Sequence, residues 1–202
     1  MPEKNVSKLL LGMIAIAVLV LLMCCGGNSE GSNDGDNESN NGSNNEESES
    51  FSISSTAIDG QGKIDSKYGC TASQDYHRPS IPLSWKGVPA GTKSLILLFD
   101  DPDPVAKYWI HWALINLPVN LSQLPENADL PASAKVLENS WGEKAFGGPC
   151  PPEGSHNYRI QLFAMSQEQV NLDSKNKMGD ELTEEIMNLN PLAKATLKAD
   201  YP

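Results

Sequence analysis

Ser94-Leu95-Ile96-Leu97-Leu98-Phe99-Asp100-Asp101-Pro102-Asp103-Pro104 is the stretch on which the reading of this chain turns. Residues 94–99 form a continuous apolar run, as expected of a strand covered on both faces. Pro102 and Pro104 lack the N–H that a ladder needs, so the strand must end before them. Carboxylates are therefore presented at a sheet rim. Downstream, Ile110–Leu117 and Tyr158–Met165 read as two further buried strands. Upstream, residues 51–58 alternate loosely apolar and polar, and Asp59-Gly60-Gln61-Gly62 closes them with turn chemistry. Residues 69–82 and 118–131 read as loops. Near the C-terminus a helix is predicted from Asp180, with Leu182, Ile186 and Leu189 inward and acids in its first turns. A second short helix is predicted after Pro191, with Leu192, Ala195 and Ala199 on one face. Short strands punctuated by Gly and Pro make this a mostly β domain with peripheral helices.

The remainder of the chain is of a different kind. Lys4 and Lys8 precede a 15-residue apolar run, Leu9–Met23, that ends in Cys24-Cys25-Gly26-Gly27. That length suits a signal-peptide core better than a bilayer span. The ending resembles a lipobox, in which a Cys accepts a diacylglycerol, and Cys25 fits that role better than Cys24 because Met23 is large. The alternative is an uncleaved anchor helix. Both place the domain outside the cytoplasm, and a lipid-anchored protein on the extracytoplasmic face of the cell membrane is expected. Residues 26–50 contain only Gly, Asn, Ser, Asp and Glu, a composition that cannot offset the entropy of ordering and reads as a solvated tether. The expected organisation is thus 1–25 signal, 26–50 tether and 51–202 folded domain.

The net charge is −11, of which the domain carries −5, from 13 bases and 18 acids. With no basic stripe, nucleic acid is not an expected partner. Cys70 and Cys150 lie in the domain, and outside the cytoplasm a disulfide between them is permitted. We expect it, against the alternative of two separate thiols.

Two segments join the Asp100–Pro104 rim as carriers of chemistry. In Trp109-Ile110-His111-Trp112, an extended chain puts Trp109 and His111 on one face and Ile110 and Trp112 on the other. In Gly147-Gly148-Pro149-Cys150-Pro151-Pro152-Glu153-Gly154-Ser155-His156-Asn157-Tyr158, a Gly/Pro loop runs into a strand on which His156 and Tyr158 share a face. In this order the segments resemble the two signatures of the phosphatidylethanolamine-binding protein family, also called the Raf kinase inhibitor protein family, in its bacterial and archaeal branch. Asp101-Pro102-Asp103 followed by His111-Trp112 is similar to the first signature, and residues 148–158 to the second. Pro104-Val105 and Asn157 depart from the family pattern.

The resemblance implies an antiparallel β-sheet sandwich and a small anion pocket. Carried over, Asp101, His111, Pro151, His156 and Tyr158 line that pocket, with Asp103 and Trp109 beside it. Imidazoles and a phenol suit phosphate oxygens as donors, and Asp101 is expected to orient His111 or to accept a phosphate proton. The expected partner is therefore a small phosphorylated or anionic ligand. No cofactor is expected. Nor is a metal, because there is no His-Glu-X-X-His, close His pair or Cys cluster. No activated nucleophile is evident, so the chain is read as a binding protein and not an enzyme. The alternatives are an inhibitor or interaction module acting on a kinase or protease, or a phosphoester hydrolase.

Overall fold

The 94–99 run explains the architecture. In a computed structural model, which describes residues 49–70, 72–103 and 105–202, it becomes strand β3, Ser94–Asp101, with every residue buried. The expectations for Cys24, Cys25 and residues 26–48 of the tether lie outside the described residues. The other strands are β1 Ser52–Ser54, β2 Leu83–Lys86, β4 Trp109–Pro118, β5 Gln123–Leu124, β6 Lys135–Val136, β7 His156–Met165 and β8 Ala193–Tyr201. They form a five-stranded sheet of order β6-β4-β3-β7-β8 and a three-stranded sheet of order β1-β2-β5. All pairings between these strands are antiparallel.

Side chains alternate across a strand, so β3 feeds two cores. Leu95, Leu97 and Phe99 meet Ile53, Leu83, Trp85 and Leu124 of the small sheet. Ile96 and Leu98 lie in the opposite core with Leu182 and Ile186 of helix α1, Gly179–Asn188. Full burial of a Leu or Phe is worth roughly 1.5–3 kcal/mol. A strand apolar on both faces is therefore stable only as the middle layer. The apolar run and the sandwich are one fact.

Helix α1 begins where expected. Asp180 and Glu181 occupy its first turn, and Glu181 reaches back to accept the Met178 N–H at 2.8 Å. Gly179 is required there, because a Cβ would sit 2.5 Å from Asp100 Oδ2 and 2.9 Å from the Tyr108 carbonyl.

Two expectations are corrected. The short helix after Pro191 is strand β8, paired with β7 from His156↔Tyr201 to Ala164↔Ala193. Ala195 and Ala199 are four apart, a spacing that serves either period. The chain 193–201 in fact alternates: Ala195, Ala199 and Tyr201 are buried, while Lys194, Thr196 and Lys198 are exposed. The second correction concerns Trp112. Asp100 pairs with Ile110 but Phe99 pairs with Trp112, so His111 is the extra residue of a β-bulge. Trp112 consequently joins the core beneath the small sheet, and Ile110 the core beneath α1, on the other face.

Candidate functional site

β4 and β7 flank β3 and run against it, so their first residues lie beside its last. Asp101 pairs with Trp109, and Asp100 with Arg159. Topology alone thus gathers Asp101, Trp109, His111, His156 and Tyr158 at one end of the large sheet. Asp100 points to the other face, where its carboxylate takes a two-pronged contact from Arg159, with Nε at 3.0 Å.

The bulge aims His111. Its ring packs 5.2 Å from each of Phe99, Tyr158 and Trp141. Nδ1 lies 2.9 Å from the Gly147 carbonyl, and the Gly147 N–H returns a 2.9 Å bond to the His111 carbonyl. A Cβ on Gly147 would meet Trp141 at 2.4 Å, so this clasp requires glycine. Burial pushes the His111 imidazole down to about 4. The ring is therefore neutral at pH 7, with its proton on Nδ1 and a lone pair on Nε2. This corrects two expectations: Asp101 does not orient His111, and the His111 imidazole, expected as a donor to phosphate, keeps its one N–H on the Gly147 carbonyl.

Asp101 orients His156 instead. Its Oδ2 lies 2.7 Å from His156 Nδ1, and both side chains are almost fully buried. Its Oδ1 accepts the Asp103 N–H at 3.0 Å, while Asp103 itself accepts the Val105 N–H at 2.9 Å. Asp103 therefore shapes the rim turn and does not line the cavity. Tyr158 is wholly buried. Burial, and then the Asp101 charge, push its phenol up and keep it protonated. Among the described residues neither its Oη nor the buried Trp109 Nε1 makes a close hydrogen bond, although the phenol is near enough to the Asp101 carboxylate and the Cys150 N–H to feel both.

Beside these groups is a cavity of about 480 Å³, lined by Asp101, Trp109, His111 and Cys150 among the residues singled out in the sequence. Tyr158 and His156 lie outside its lining, and Pro152 rather than Pro151 lines it. One wall is a stack of Tyr76 on Trp141, with centroids 4.1 Å apart, and Trp141 meets Trp109 edge-on at 5.4 Å. Lys107 and Met178 contribute to the rest.

The sequence profile of the phosphatidylethanolamine-binding protein family matches residues 54–202. The chain belongs to the phosphatidylethanolamine-binding protein family. Among its relatives, a UPF0098 protein of Methanothermobacter thermautotrophicus is 41% identical over 113 residues, covering 54% of this chain and 72% of that protein. The UPF0098 protein YbcL of Escherichia coli is 35% identical over 145 residues, 67% of this chain and 76% of its own. The crystal structure of YbcL, described as a new member of the mammalian PEBP family, superposes with a TM-score of 0.63 at 30% identity, covering 75% of this chain and 97% of that one. The phosphatidylethanolamine-binding protein homologue CT736 of Chlamydia trachomatis gives 0.62 at 30% identity over the same shares.

In this family member, sequence reasoning missed Tyr76, Lys107, Trp141 and Met178 as lining residues. One signal was at hand. Cys70 and Cys150 form a disulfide, with Cα atoms 5.0 Å apart. That bond, with the Gly148 N–H to Tyr76 carbonyl bond at 2.9 Å, draws the 70–80 loop onto the rim. The expected pairing, followed to its geometric consequence, carries Tyr76 to the site.

Proposed function

We propose that this family member binds a small phosphorylated or anionic ligand in the cavity at the end of its large sheet. The supporting observation is the buried Trp109 Nε1–H, a donor without a partner among the described residues on a side chain that lines the cavity with Asp101 and His111; a second such donor, Tyr158 O–H, is buried against the His111 ring just outside the lining. A buried donor without an acceptor costs about 1–3 kcal/mol. An oxyanion between them removes that cost. Ser155, the hydroxyl nearest His156 in sequence, is engaged with the Tyr201 carbonyl at 3.2 Å, so a binding role is favoured over hydrolysis.

The test is phosphorus NMR or calorimetric titration with methyl phosphate. Tyr158→Phe and Trp109→Phe should each weaken binding by roughly five- to tenfold, the equivalent of one neutral hydrogen bond of about 1 kcal/mol. Unchanged affinity in both variants would refute the placement.

We propose further that the protein works at an extracytoplasmic membrane surface, held by a lipid on Cys25 or Cys24. The Lys4–Gly27 order of residues supports this, as does a disulfide suited to an oxidising compartment. Loss of metabolic palmitate labelling in Cys24→Ser/Cys25→Ser is the expected result. Equal labelling of the variant would refute it.

A further inference from the structure

The hydrogen-bonding pattern at the base of the cavity is asymmetric. Trp109 Nε1, on the cavity lining, and Tyr158 Oη, buried against the His111 ring just outside it, offer hydrogens. His111 Nε2 does not, because the ring's one proton is committed through Nδ1 to the Gly147 carbonyl. The Gly148 carbonyl, like that of Gly147, favours a proton on the ring. Both oxygens of Asp101 already have partners, Asp103 N–H and His156 Nδ1. The site thus presents two donors and one unfilled acceptor, beside a carboxylate.

Building on the anion-binding reading, we propose that the cavity selects the protonated, monoanionic form of a phosphomonoester, whose P–OH donates to His111 Nε2. The two P–O oxygens then accept from Tyr158 and Trp109. A dianion would set a bare oxygen against the His111 lone pair and place two charges beside Asp101. A sulfate ester has the same shape and single charge as the monoanion but no proton to donate, so it meets the same repulsion. The site distinguishes the two by one hydrogen.

The other groups facing the site are engaged elsewhere or, like the Lys107 ammonium, favour every anion alike. Tyr76 directs its hydroxyl to Glu143 Oε1 at 3.3 Å. Lys107, on the 102–108 loop, lines the cavity and contributes favourable charge to every anion alike. His156 lies behind Asp101, with its Nδ1 on that carboxylate. The depressed basicity of His111 agrees with the geometry, since a ring that resists protonation stays an acceptor through the neutral range.

The consequence is a pH dependence that belongs to the ligand. The second pKa of a phosphomonoester is about 6. Above it, affinity should fall about tenfold per pH unit, because only the monoanion is competent. The experiment is calorimetric titration of the mature protein with methyl phosphate, methylphosphonate and methyl sulfate from pH 5 to 8. Methylphosphonate has the higher second pKa, so its affinity should begin to fall at a correspondingly higher pH. Methyl sulfate should bind more than about tenfold more weakly than methyl phosphate at pH 5.5. His111→Gln, whose amide can turn its N–H to the ligand, should bring the two affinities together. These wild-type comparisons do not depend on that variant folding. Equal affinity for methyl sulfate and methyl phosphate, or a fall at one fixed pH for both phosphorus ligands, would overturn the proposal while leaving anion binding intact. Failure of all three to bind would overturn the anion-binding reading itself, and this proposal with it.

Discussion

Replacing Arg159 by Met tests how the rim is held. Asp100 is fully buried, and its strongest partner is the Arg159 guanidinium, whose side chain remains 22% exposed. Burial pushes the Asp100 carboxyl up, and Arg159 opposes that push. Gly179 packs against the same carboxylate and donates its N–H to the Tyr108 carbonyl at 2.6 Å, so α1 and the rim loop meet at this pair. Removing one partner of a buried pair costs about 3–5 kcal/mol, because the other charge is left uncompensated. The partial exposure of Arg159 places the expected loss near the low end, about 3 kcal/mol. For a domain of this size that lowers Tm by roughly 6–12 °C. The sign with pH follows from the direction of the shift. Without Arg159 the folded-state pKa of Asp100 rises further above its unfolded value. The penalty is then full above that folded pKa and fades as pH falls through it and the carboxyl protonates. Thermal melts of Arg159→Met between pH 4 and 8 should therefore converge on wild type at the acid end. Adding Asp100→Asn should recover part of the loss at pH 8. A deficit independent of pH, with no recovery in the double variant, would show that Arg159 acts by packing and that the charge argument is wrong.

Two other perturbations give defined outcomes. Cys70→Ser/Cys150→Ser opens a link between residues 80 apart in sequence, and denaturant unfolding should show a loss of about 4–5 kcal/mol on the chain-entropy view. A loss below about 1 kcal/mol would mean that the unfolded chain is not constrained by this bond. For His111, the folded-state pKa is lowered from the model-compound value of 6.5 to about 4, so the unfolded state binds the proton first as pH falls. Stability should decline between those two values by up to about 1.4 kcal/mol per pH unit, and His111→Gln should flatten that part of the curve. Ring titration by NMR with a midpoint above 6 would refute it.

The sequence spoke most clearly where one physical demand acted alone. Leu95–Phe99 had to be an interior strand because no other position hides both faces, and the order of β3, β4 and β7 then forced Asp101, Trp109, His111, His156 and Tyr158 to one end. It spoke ambiguously where two periods coincide. Ala195 and Ala199 satisfy a helix and a strand equally, and the free edge of β7 decided between them through nine paired residues. The 70–80 loop carried no periodicity at all, so Tyr76 reached the cavity wall through tertiary ties, among them the Cys70–Cys150 bond, the Gly148–Tyr76 hydrogen bond and the stack on Trp141.

His111 shows why residue type and spacing do not fix chemistry. Its place on the cavity lining was legible, but the acceptor role proposed for it was not, because three distant features set that role. The bulge between Phe99 and Asp100 turned it out of the alternation. A glycine 36 residues away supplied the carbonyl that holds Nδ1–H. Phe99, Tyr158 and Trp141 packed around the ring, and burial withdrew the water that a charged imidazole needs. Asp101, read from sequence as the natural partner of His111, was already committed to the strand on its other side. The same residues with the Asp101 carboxylate turned to His111 would make a charged donor, and a site indifferent to the proton on its ligand. What the fold adds to the motif is the direction of one hydrogen bond, and the proposed ligand chemistry follows from that direction.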